Sequence, residues 1–556
     1  MRKNVLWALM LAVGLVSCNN ENDAPEVDVP TGEAAFLSVS LKAAGTIGAS
    51  RADAGSFEYG TSDENEVNSV DFHFFKANGE KYSVVSTGSN VISWTAKANN
   101  DKPAESVEKV SDVVLVIKKH ESELPAKVVA VVNAATTGNY ANLNALATTL
   151  VQNSPQTDKG FVMSNSVYAD GNEVINATDI LPENIFAAED ADLTVEPGQV
   201  IPADKVTNLS VNPIDIYVER VAAKVRVQGA EGVDLTKMPV YDAEGKTQMK
   251  DAAGNVVYAK ILGWDVTNTV TGANTLKTIN PAWNNLGFTP WNNAELFRSY
   301  WAETPASLVP AHTHKFNTLT DSDPKYYFEN TKEWAEENSV TSGSGNQAPQ
   351  LLVAAQLINE QGKAIQLAKW YNVLYTIDGL QTAMVNQIAS KLFVKESTTT
   401  GEGEEAVTTT TYRSITPADV TFEQRAASTA DNRYEVIMVA KSGTTYYSAA
   451  NAKENGTAMT EQEVASIIGS VDPAQMWTEG KTYYYTDINH FGNAKGMVRN
   501  HVYDITLTKI MGFGTPVYNP EHIITPERPD EQEAANLAAQ INILSWHVVS
   551  NEVTLQ

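Results

Sequence analysis

The stretch Phe36-Leu37-Ser38-Val39-Ser40-Leu41-Lys42-Ala43 alternates apolar and polar side chains with a period of two residues. That period is typical of a β-strand with one buried face, which here carries Leu37, Val39 and Leu41. The next stretch, Ala44-Gly45-Thr46-Ile47-Gly48-Ala49-Ser50-Arg51-Ala52, consists of small residues with one arginine. Short flexible segments of this kind are accessible to proteases. The sequence therefore places a strand just before a candidate cleavage point.

Many further short runs predict strands because they are rich in β-branched and aromatic residues and are bounded by Gly, Asn, Asp or Pro. They are Val70–Phe75, Val113–Ile117, Lys127–Val132, Ile214–Val218, Ala223–Val227, Val256–Ile261, Leu351–Leu357, Tyr434–Ala440 and Val502–Thr508. Helical spacing is found over Leu143–Leu150 and Val385–Leu392, and a capping box, Thr460 with Glu463, predicts a third helix. The Thr-rich and Gly-rich stretch Glu396–Thr411 predicts an exposed loop. The pattern favours a mainly β protein of stacked sandwiches with a few short helices.

The N-terminal end has the features of an export signal. Arg2 and Lys3 precede the apolar run Val5–Val16, which is too short to span roughly 30 Å of hydrocarbon. The run ends at Leu15-Val16-Ser17-Cys18, which predicts that Cys18 is the acceptor of a lipid; an ordinary secretory signal with an incidental cysteine is the alternative. Cys18 is the only cysteine of the sequence, so a lipidated chain keeps no thiol for a disulfide, a zinc site or a nucleophile.

Composition argues against several classes of function. The 67 acidic and 40 basic residues give a net charge of −27, which repels nucleic acid, so we expect no nucleic-acid partner. The sequence has no His-Glu-x-x-His, no Gly-x-Ser-x-Gly and no phosphate-binding Gly-x-x-x-x-Gly-Lys motif. Its eight histidines are scattered, and the closest pair, His312 and His314, does not predict a metal site. We therefore expect no metal, no cofactor and no enzyme activity.

The C-terminal end is again strand-like after a Pro-rich, acidic linker. Its alternating apolar residues are Leu544, Trp546 and Val548, followed in the other phase by Val553 and Leu555. No hairpin partner precedes Gln540–Gln556, so we expect this strand to have no sheet to join in its own chain. The alternative is an edge strand of its own C-terminal domain.

With a lipid-acceptor cysteine, a first strand followed by Ser50-Arg51-Ala52 and an unpaired C-terminal strand, the sequence resembles the fimbrillins, subunits of type V pili of Bacteroides-group bacteria. Further matching segments are Phe161–Ser164, Val218–Val225, Tyr327–Asn330 and Arg499–Tyr503. The tail Ile543–Val553 is most similar to that of the minor-fimbria shaft subunit. The resemblance covers the whole chain, although Lys332–Gly480 matches poorly.

The resemblance implies two transthyretin-like β-sandwich domains, a few short helices and an extended C-terminal donor strand. The implied segments are a signal peptide over 1–18, a tether with a removable first strand over 19–51, an N-terminal sandwich over 52–210, a C-terminal sandwich with loop insertions over 211–525, and a linker with the donor strand over 526–556. An arginine-specific surface protease would cut between Arg51 and Ala52 and so release the strand that carries Leu37, Val39 and Leu41. The donor strand of another subunit would take its place by β-augmentation.

The implied partners are identical subunits joined head-to-tail, together with anchor and tip subunits. The precursor would be an outer-membrane lipoprotein, and the mature form would lie in extracellular fimbriae. Two other functions stay open. A monomeric surface lipoprotein that binds glycan or protein would keep Cys18 attached and pack its tail within its own chain. An outer-membrane-anchored hydrolase is the third hypothesis, for which the sequence shows no catalytic residues.

Overall fold

The computed structural model describes residues 34–43, 60–61, 63–95, 111–120, 123–135, 138–170, 173–186, 195–203, 206, 213–279, 302–332, 348–400, 407–425, 434–453, 455–490, 495–524, 536–545 and 548–550. Over these ranges the chain is mainly β, as the sequence predicts, with strands β1 to β34 and helices α1 to α3. None of the helices in these ranges is long and apolar enough to cross a membrane.

The first part of the chain forms a series of short strands and one short helix. The strands are β1 (Ala34–Ala43), β2 (Ser69–Phe75), β3 (Val91–Thr95), β4 (Ser111–Lys118), β5 (Lys127–Val132), β6 (Leu150–Gln152), β7 (Gln156–Thr157), β8 (Gly160–Phe161), β9 (Met163–Asn165), β10 (Tyr168–Asp170), β11 (Glu173–Ile175), β12 (Thr178–Asp179), β13 (Ile185–Phe186), β14 (Val200–Pro202) and β15 (Ile214–Arg220). The helix α1 spans Leu143–Ala147, and the side chain of Asn142 caps its N-terminus.

Ten of these strands form the first large sheet, in the order β14-β4-β1-β15-β9-β5-β2-β3, with β12 paired to β5 and β13 to β1. The terminal strands β14 and β3 contact each other, so the sheet curls around one core. Inward-facing residues of β1, β2, β4, β5 and β15 build that core. Alternate residues of a strand point to the same face of the sheet, so the apolar residues at these positions form one uninterrupted core.

The remainder of the chain is longer and contains the other two helices, α2 (Ile377–Ile388) and α3 (Glu461–Ile468). Its strands are β16 (Ala223–Gly229), β17 (Met238–Tyr241), β18 (Tyr258–Thr267), β19 (Gly272–Asn274), β20 (Lys325–Tyr327), β21 (Gln350–Ile358), β22 (Leu367–Trp370), β23 (Val373–Tyr375), β24 (Phe393–Thr400), β25 (Val407–Ser414), β26 (Val420–Gln424), β27 (Glu435–Ala440), β28 (Tyr446–Tyr447), β29 (Ala474–Trp477), β30 (Lys481–Asp487), β31 (His501–Met511), β32 (Thr515–Pro516), β33 (Asn536–Ser545) and β34 (Val548–Ser550).

The second large sheet has the order β20-β16-β31-β17-β18-β21-β30-β32, and β33 pairs with β31 and with β34. A second core lies on it, built mainly from β16, β18, β21 and β31. The two large sheets follow each other directly along the chain, because β16 begins three residues after β15 ends.

Residues 367–477, here called the inserted unit, lie in the sequence between the neighbouring strands β21 and β30 of the second sheet. They form a separate five-stranded sheet, β23-β22-β29-β27-β26, and a three-stranded sheet, β25-β24-β28. Both helices, α2 and α3, pack into a third core with these strands. The region that matches the fimbrillins poorly therefore contains a compact unit with its own core, where loop insertions were expected.

The structure corrects one local prediction and refines another. Glu396–Thr411 is wrong as an exposed loop, since β24 and β25 pair there in register from Phe393↔Ser414 to Thr400↔Val407. Thr is β-branched and favours strands even where no apolar face is present. The helix predicted over Val385–Leu392 is α2, which begins earlier in the chain and ends at Ile388. The capping box of Thr460 and Glu463 is confirmed at the start of α3.

Candidate assembly site

The strand β1 occupies a central place in the first sheet, between β4 and β15. It pairs antiparallel with β4 from Ala34↔Lys118 to Leu41↔Ser111. On its other edge it pairs parallel with β15, from Val39↔Ile214 onward. Backbone groups on both edges of β1 are thus used in sheet pairing. The gap between β4 and β15 that β1 fills is here called the slot.

Side chains of β1 are buried on both faces of the sheet. Leu37 and Val39 are 0% exposed and Leu41 is 1% exposed, and all three lie in the main core of the first sheet. On the opposite face Phe36 packs in a small cluster with Val114, Val116 and Val206. Ser38 and Ser40 are buried too. The alternation predicted from the sequence is confirmed, while the expectation of one solvent-exposed face is wrong.

The two ends of the segment that follows β1 meet near the same point of β15. Ala43 pairs with Val218 at the end of β1. Residues 60–65 return beside Arg220, whose Nε donates to the carbonyl oxygen of Glu64 over 2.7 Å. Val218 and Arg220 lie two residues apart on one strand. Residues 44–59, with Arg51 near their middle, therefore connect two points that are close together.

A buried polar network fixes the return point. The Glu64 carboxylate is 2.9 Å from the Lys224 ammonium and accepts a 2.6 Å hydrogen bond from the Tyr326 hydroxyl. Burial by itself raises the pKa of Glu64, but the hydrogen bonds from Tyr326 and Lys224 outweigh it and hold that pKa below its ordinary value. Glu64 is therefore an anion inside the protein. It ties the segment after the candidate cleavage point to β16 and β20 of the second sheet.

Two more buried ion pairs lie where the two large sheets meet. Lys277 is 2.9 Å from Glu219 of β15, and both side chains are almost fully buried. Arg499, which precedes β31, pairs with the buried carboxylate of Glu329 and donates a 2.7 Å hydrogen bond to the carbonyl oxygen of Asn274. Removing one partner of such a pair leaves a buried charge without compensation. These pairs join the end of the first sheet to the start of β31.

The C-terminal strand is paired within its own chain. β33 runs antiparallel along the whole of β31, on the side opposite β16. β34 then pairs back on β33, so that Leu544 lies between Val502 and Val548. The expectation that this strand has no sheet to join is wrong. The pairing with β33 uses the backbone hydrogen-bonding groups on the free edge of β31. Because β31 and β33 are far apart in the sequence, no hairpin pattern predicts that they pair.

Several predicted site residues lie outside the described residues. They are Cys18, Arg51, Ala52, Trp546, Val553 and Leu555. Of the predicted donor strand, Leu544 and Val548 lie in described strands and are cross-strand partners in register, so they are not consecutive positions of one strand in this arrangement. Sequence reasoning missed Glu64, Lys224 and Tyr326; the charged residues within the apolar run 218–225 were the available signal.

The described part of the chain gives little support for a metal site or a catalytic site. No group of three or more His, Cys, Asp or Glu residues in these ranges could hold a metal ion. His314 Nε2 donates a hydrogen bond to the carbonyl oxygen of Val266, and His312 Nδ1 shares a hydrogen bond with the hydroxyl of Thr267, so both side chains are engaged in local hydrogen bonds. The arrangement that the described residues build is a strand slot with a paired tail.

Comparison with known proteins agrees with this arrangement. Residues 475–552 match the family model described as major fimbrial subunit protein type IV, fimbrillin, C-terminal. That span contains β30 to β34 and thus the strand β31 with its paired tail. No curated protein matches the chain.

Solved structures overlap with most of the chain at low identity. A candidate cell-adhesion protein from Parabacteroides distasonis is 13% identical, with 92% of this chain and 97% of that one covered and a TM-score of 0.37. A fimbrilin (fimA) from Porphyromonas gingivalis is 13% identical, with 93% and 98% covered and a TM-score of 0.36. The tip fimbrial protein Mfa3 from Porphyromonas gingivalis is 11% identical, with 69% and 100% covered and a TM-score of 0.25.

The similarity to a known family is carried by the sequence match over the C-terminal strands. That match covers β31 and the strands β33 and β34 that follow it. Over residues 475–552 the chain is thus similar to the C-terminal part of the fimbrillins.

Proposed function

We propose that this protein is a structural subunit of a cell-surface fimbria and that it polymerises by strand exchange at the slot. In the exchange, β1 leaves its place between β4 and β15, and residues 540–556 of another copy enter. The observation that carries the proposal is the position of β1, an N-terminal strand that is central in its sheet and buried on both faces. A chain whose first strand lies in the middle of a sheet can lose it only by opening the core.

The cost of an empty slot supports replacement by another strand. Phe36, Leu37, Val39 and Leu41 are each at most 3% exposed. At roughly 1.5 to 3 kcal/mol for each side chain, leaving the slot empty would forfeit about 6 to 12 kcal/mol, an upper estimate. Whole domains are stable by only about 5 to 15 kcal/mol. A subunit without β1 therefore needs a donor strand to stay folded as a sandwich.

The pairing of the tail gives the exchange a direction. In its own chain β33 lies outside β31, and among the described residues its other edge pairs with the three-residue strand β34. In the slot a donor would have two long neighbours, β4 and β15, and a buried face. Each copy would donate to one neighbour and accept from another, so the contact is head-to-tail and builds a filament. Anchor and tip subunits would end it.

Processing at Arg51 would start the exchange. The described residues on either side of residues 44–59 lie at Val218 and Arg220 of β15, and the small residues around Arg51 support cutting there by an arginine-specific surface protease. A cut between Arg51 and Ala52 separates β1 from the body, while the Glu64 network holds the new N-terminal segment in place. It also separates the body from Cys18, so the subunit would move from an outer-membrane lipoprotein to a mature form in extracellular fimbriae.

N-terminal sequencing of protein sheared from the cell surface tests the proposal directly. A start at Ala52 is expected. Arg51→Ala should leave a folded precursor that does not polymerise and that still takes up a fatty-acid label, whereas Cys18→Ala should abolish that label. Arg51→Lys is the matched control for cleavage, because it keeps the charge and removes the side chain that an arginine-specific protease requires. Normal fibres from Arg51→Ala would contradict the proposal.

A monomeric surface lipoprotein is the second candidate, and the pairing of β33 with β31 in one chain favours it. That function predicts a blocked, lipidated Cys18 at the start of the surface protein and a tail that stays paired. A cysteine-free mature chain allows a sharp test. Introduced cysteines at Val502 and Leu544, which are paired partners, would form a disulfide within one chain. If that disulfide left fimbriae unchanged, the tail would not be exchanged between subunits.

A further inference from the structure

The hairpin between β22 and β23 has an unusual turn. Trp370 pairs with Val373, so Tyr371 and Asn372 form a two-residue loop. Both have positive φ, +47° and +62°. A turn of this kind ordinarily has Asn-Gly or Gly-Gly, because glycine adopts positive φ without strain. A bulky tyrosine there is strained, and such strain is found mostly at functional sites.

The Tyr371 ring is exposed and held in place at the same time. It is 60% exposed, and its centroid lies 4.6 Å from that of the buried Trp370 ring. Its hydroxyl donates to the carboxylate of Asp472, and the indole Nε1 of Trp370 donates a 3.1 Å hydrogen bond to the backbone oxygen of Asp472. A ring fixed in this way loses little conformational entropy when a ligand covers it.

Polar groups with planar geometry surround the ring. Asp472, Asn372 and Gln387 are all exposed, and Gln387 of α2 lies near the Tyr371 hydroxyl. Carboxylate and carboxamide groups can accept from and donate to several hydroxyls at once. Together with the ring they offer an apolar face bordered by hydrogen-bonding groups.

The apolar area is small. Among the described residues of the inserted unit, Tyr371 and Val373 are the large hydrophobic side chains that are strongly exposed. A stable protein interface buries on the order of 800 Å² on each partner, far more than these two side chains present. An anionic ligand is disfavoured by Asp472 and by the net charge of −27.

We propose that Tyr371 and its neighbours form a binding site for a neutral sugar. The C–H face of a pyranose ring would stack on Tyr371, and its hydroxyls would bond with Asp472, Asn372 and Gln387. Burial of aromatic and C–H surface provides affinity, and the polar groups provide orientation. The site belongs to the inserted unit and includes no residue of the slot or the tail, so the proposal does not depend on polymerisation.

Saturation-transfer NMR on the full-length protein tests the site. The neutral probes are methyl β-D-galactopyranoside and methyl α-D-mannopyranoside, and the anionic comparator is N-acetylneuraminic acid. We expect at least one neutral probe to bind, with its ring C–H protons receiving most of the signal, and the anionic probe to bind more weakly. Tyr371→Ala should weaken neutral binding at least tenfold. The matched control is Tyr412→Ala, a half-exposed tyrosine of the same unit that packs on Tyr447, and it should have no effect.

A glycine variant separates binding from folding. Tyr371→Gly removes the ring and relieves the strained turn, so its melting temperature should equal or exceed that of the parent protein while sugar binding is lost. Full binding by Tyr371→Gly would overturn the proposal. So would the absence of binding by both neutral probes, or equal losses in the Tyr371→Ala and Tyr412→Ala variants. Binding of a protein at this turn with no sugar binding would show a different kind of site.

Discussion

Truncation of Leu37 to alanine should destabilise the precursor and leave the fimbria unchanged. The Leu37 side chain is 0% exposed in the core of the first sheet. A buried Leu→Ala change costs about 2 to 5 kcal/mol. Since 1 kcal/mol shifts the melting temperature of a domain of this size by roughly 2 to 4 °C, the precursor should melt roughly 4 to 20 °C lower. In the mature subunit β1 is gone under the proposed exchange, so position 37 contributes nothing there.

The partner of Leu37 across the sheet provides the control. Leu115 of β4 lies directly opposite it in register and is equally buried. Leu115→Ala should therefore lower the melting temperature of both the precursor and the fimbriae. The assay is calorimetry on the Arg51→Ala precursor and on fimbriae sheared from cells, each with and without the two substitutions. If Leu37→Ala weakened fimbriae as much as Leu115→Ala does, β1 would remain in the slot and strand exchange would be refuted.

Four further substitutions test other parts of the structure. Trp546→Ala should stop fibre growth in electron micrographs while the monomer's melting temperature changes little; a fall typical of a core substitution would mean that Trp546 stabilises its own subunit and not a neighbour's slot. Burial lowers the pKa of His73 from 6.5 to about 4, so the unfolded chain takes up its proton first as the pH falls. Between pH 7 and pH 5 the fold should lose about 2 kcal/mol, and His73→Gln should flatten that dependence in thermal melts. Glu329→Leu leaves the Arg499 charge buried and should cost about 3 to 5 kcal/mol by the same measurement. Glu396→Leu, at an exposed pair, should cost less than about 1 kcal/mol.

The strands, and β1 in particular, could be predicted from the sequence because each depends on a short local pattern of residues. The alternation over Phe36–Ala43 and the capping box at Thr460 need only a few neighbouring residues. A local signal also explains why the N-terminal part of α2 was missed. The start of α2 has a capping residue, Thr376, but Gly379 inside the helix lowers its intrinsic helix propensity and hides the helix.

Long-range partners could not be predicted. The pairing of β33 with β31 joins segments separated by a Pro-rich linker, and nothing in either segment specifies the other. The buried pair Lys277 with Glu219 joins residues 58 positions apart in the sequence. The core of the inserted unit could not be predicted either, because α2, α3 and the strands around them come together only in the fold. Patterns identify elements, and contacts between distant elements require the structure.

The direct succession of β15 and β16 determines how a fibre would bear tension. In the proposed fibre β15 would border the slot that holds a neighbour's tail, and β16 pairs in parallel with β31, from which the chain continues to its own donated tail. A pull on the fibre would thus run from one subunit junction to the next through a short covalent link and one long shear-loaded strand pair. Hydrogen bonds loaded in shear share the force, since they must break together, whereas an edge that peels breaks one bond at a time. The buried ion pairs beside the link restrain rotation of the two sheets, so the subunit should behave under load as a stiff rod that does not hinge.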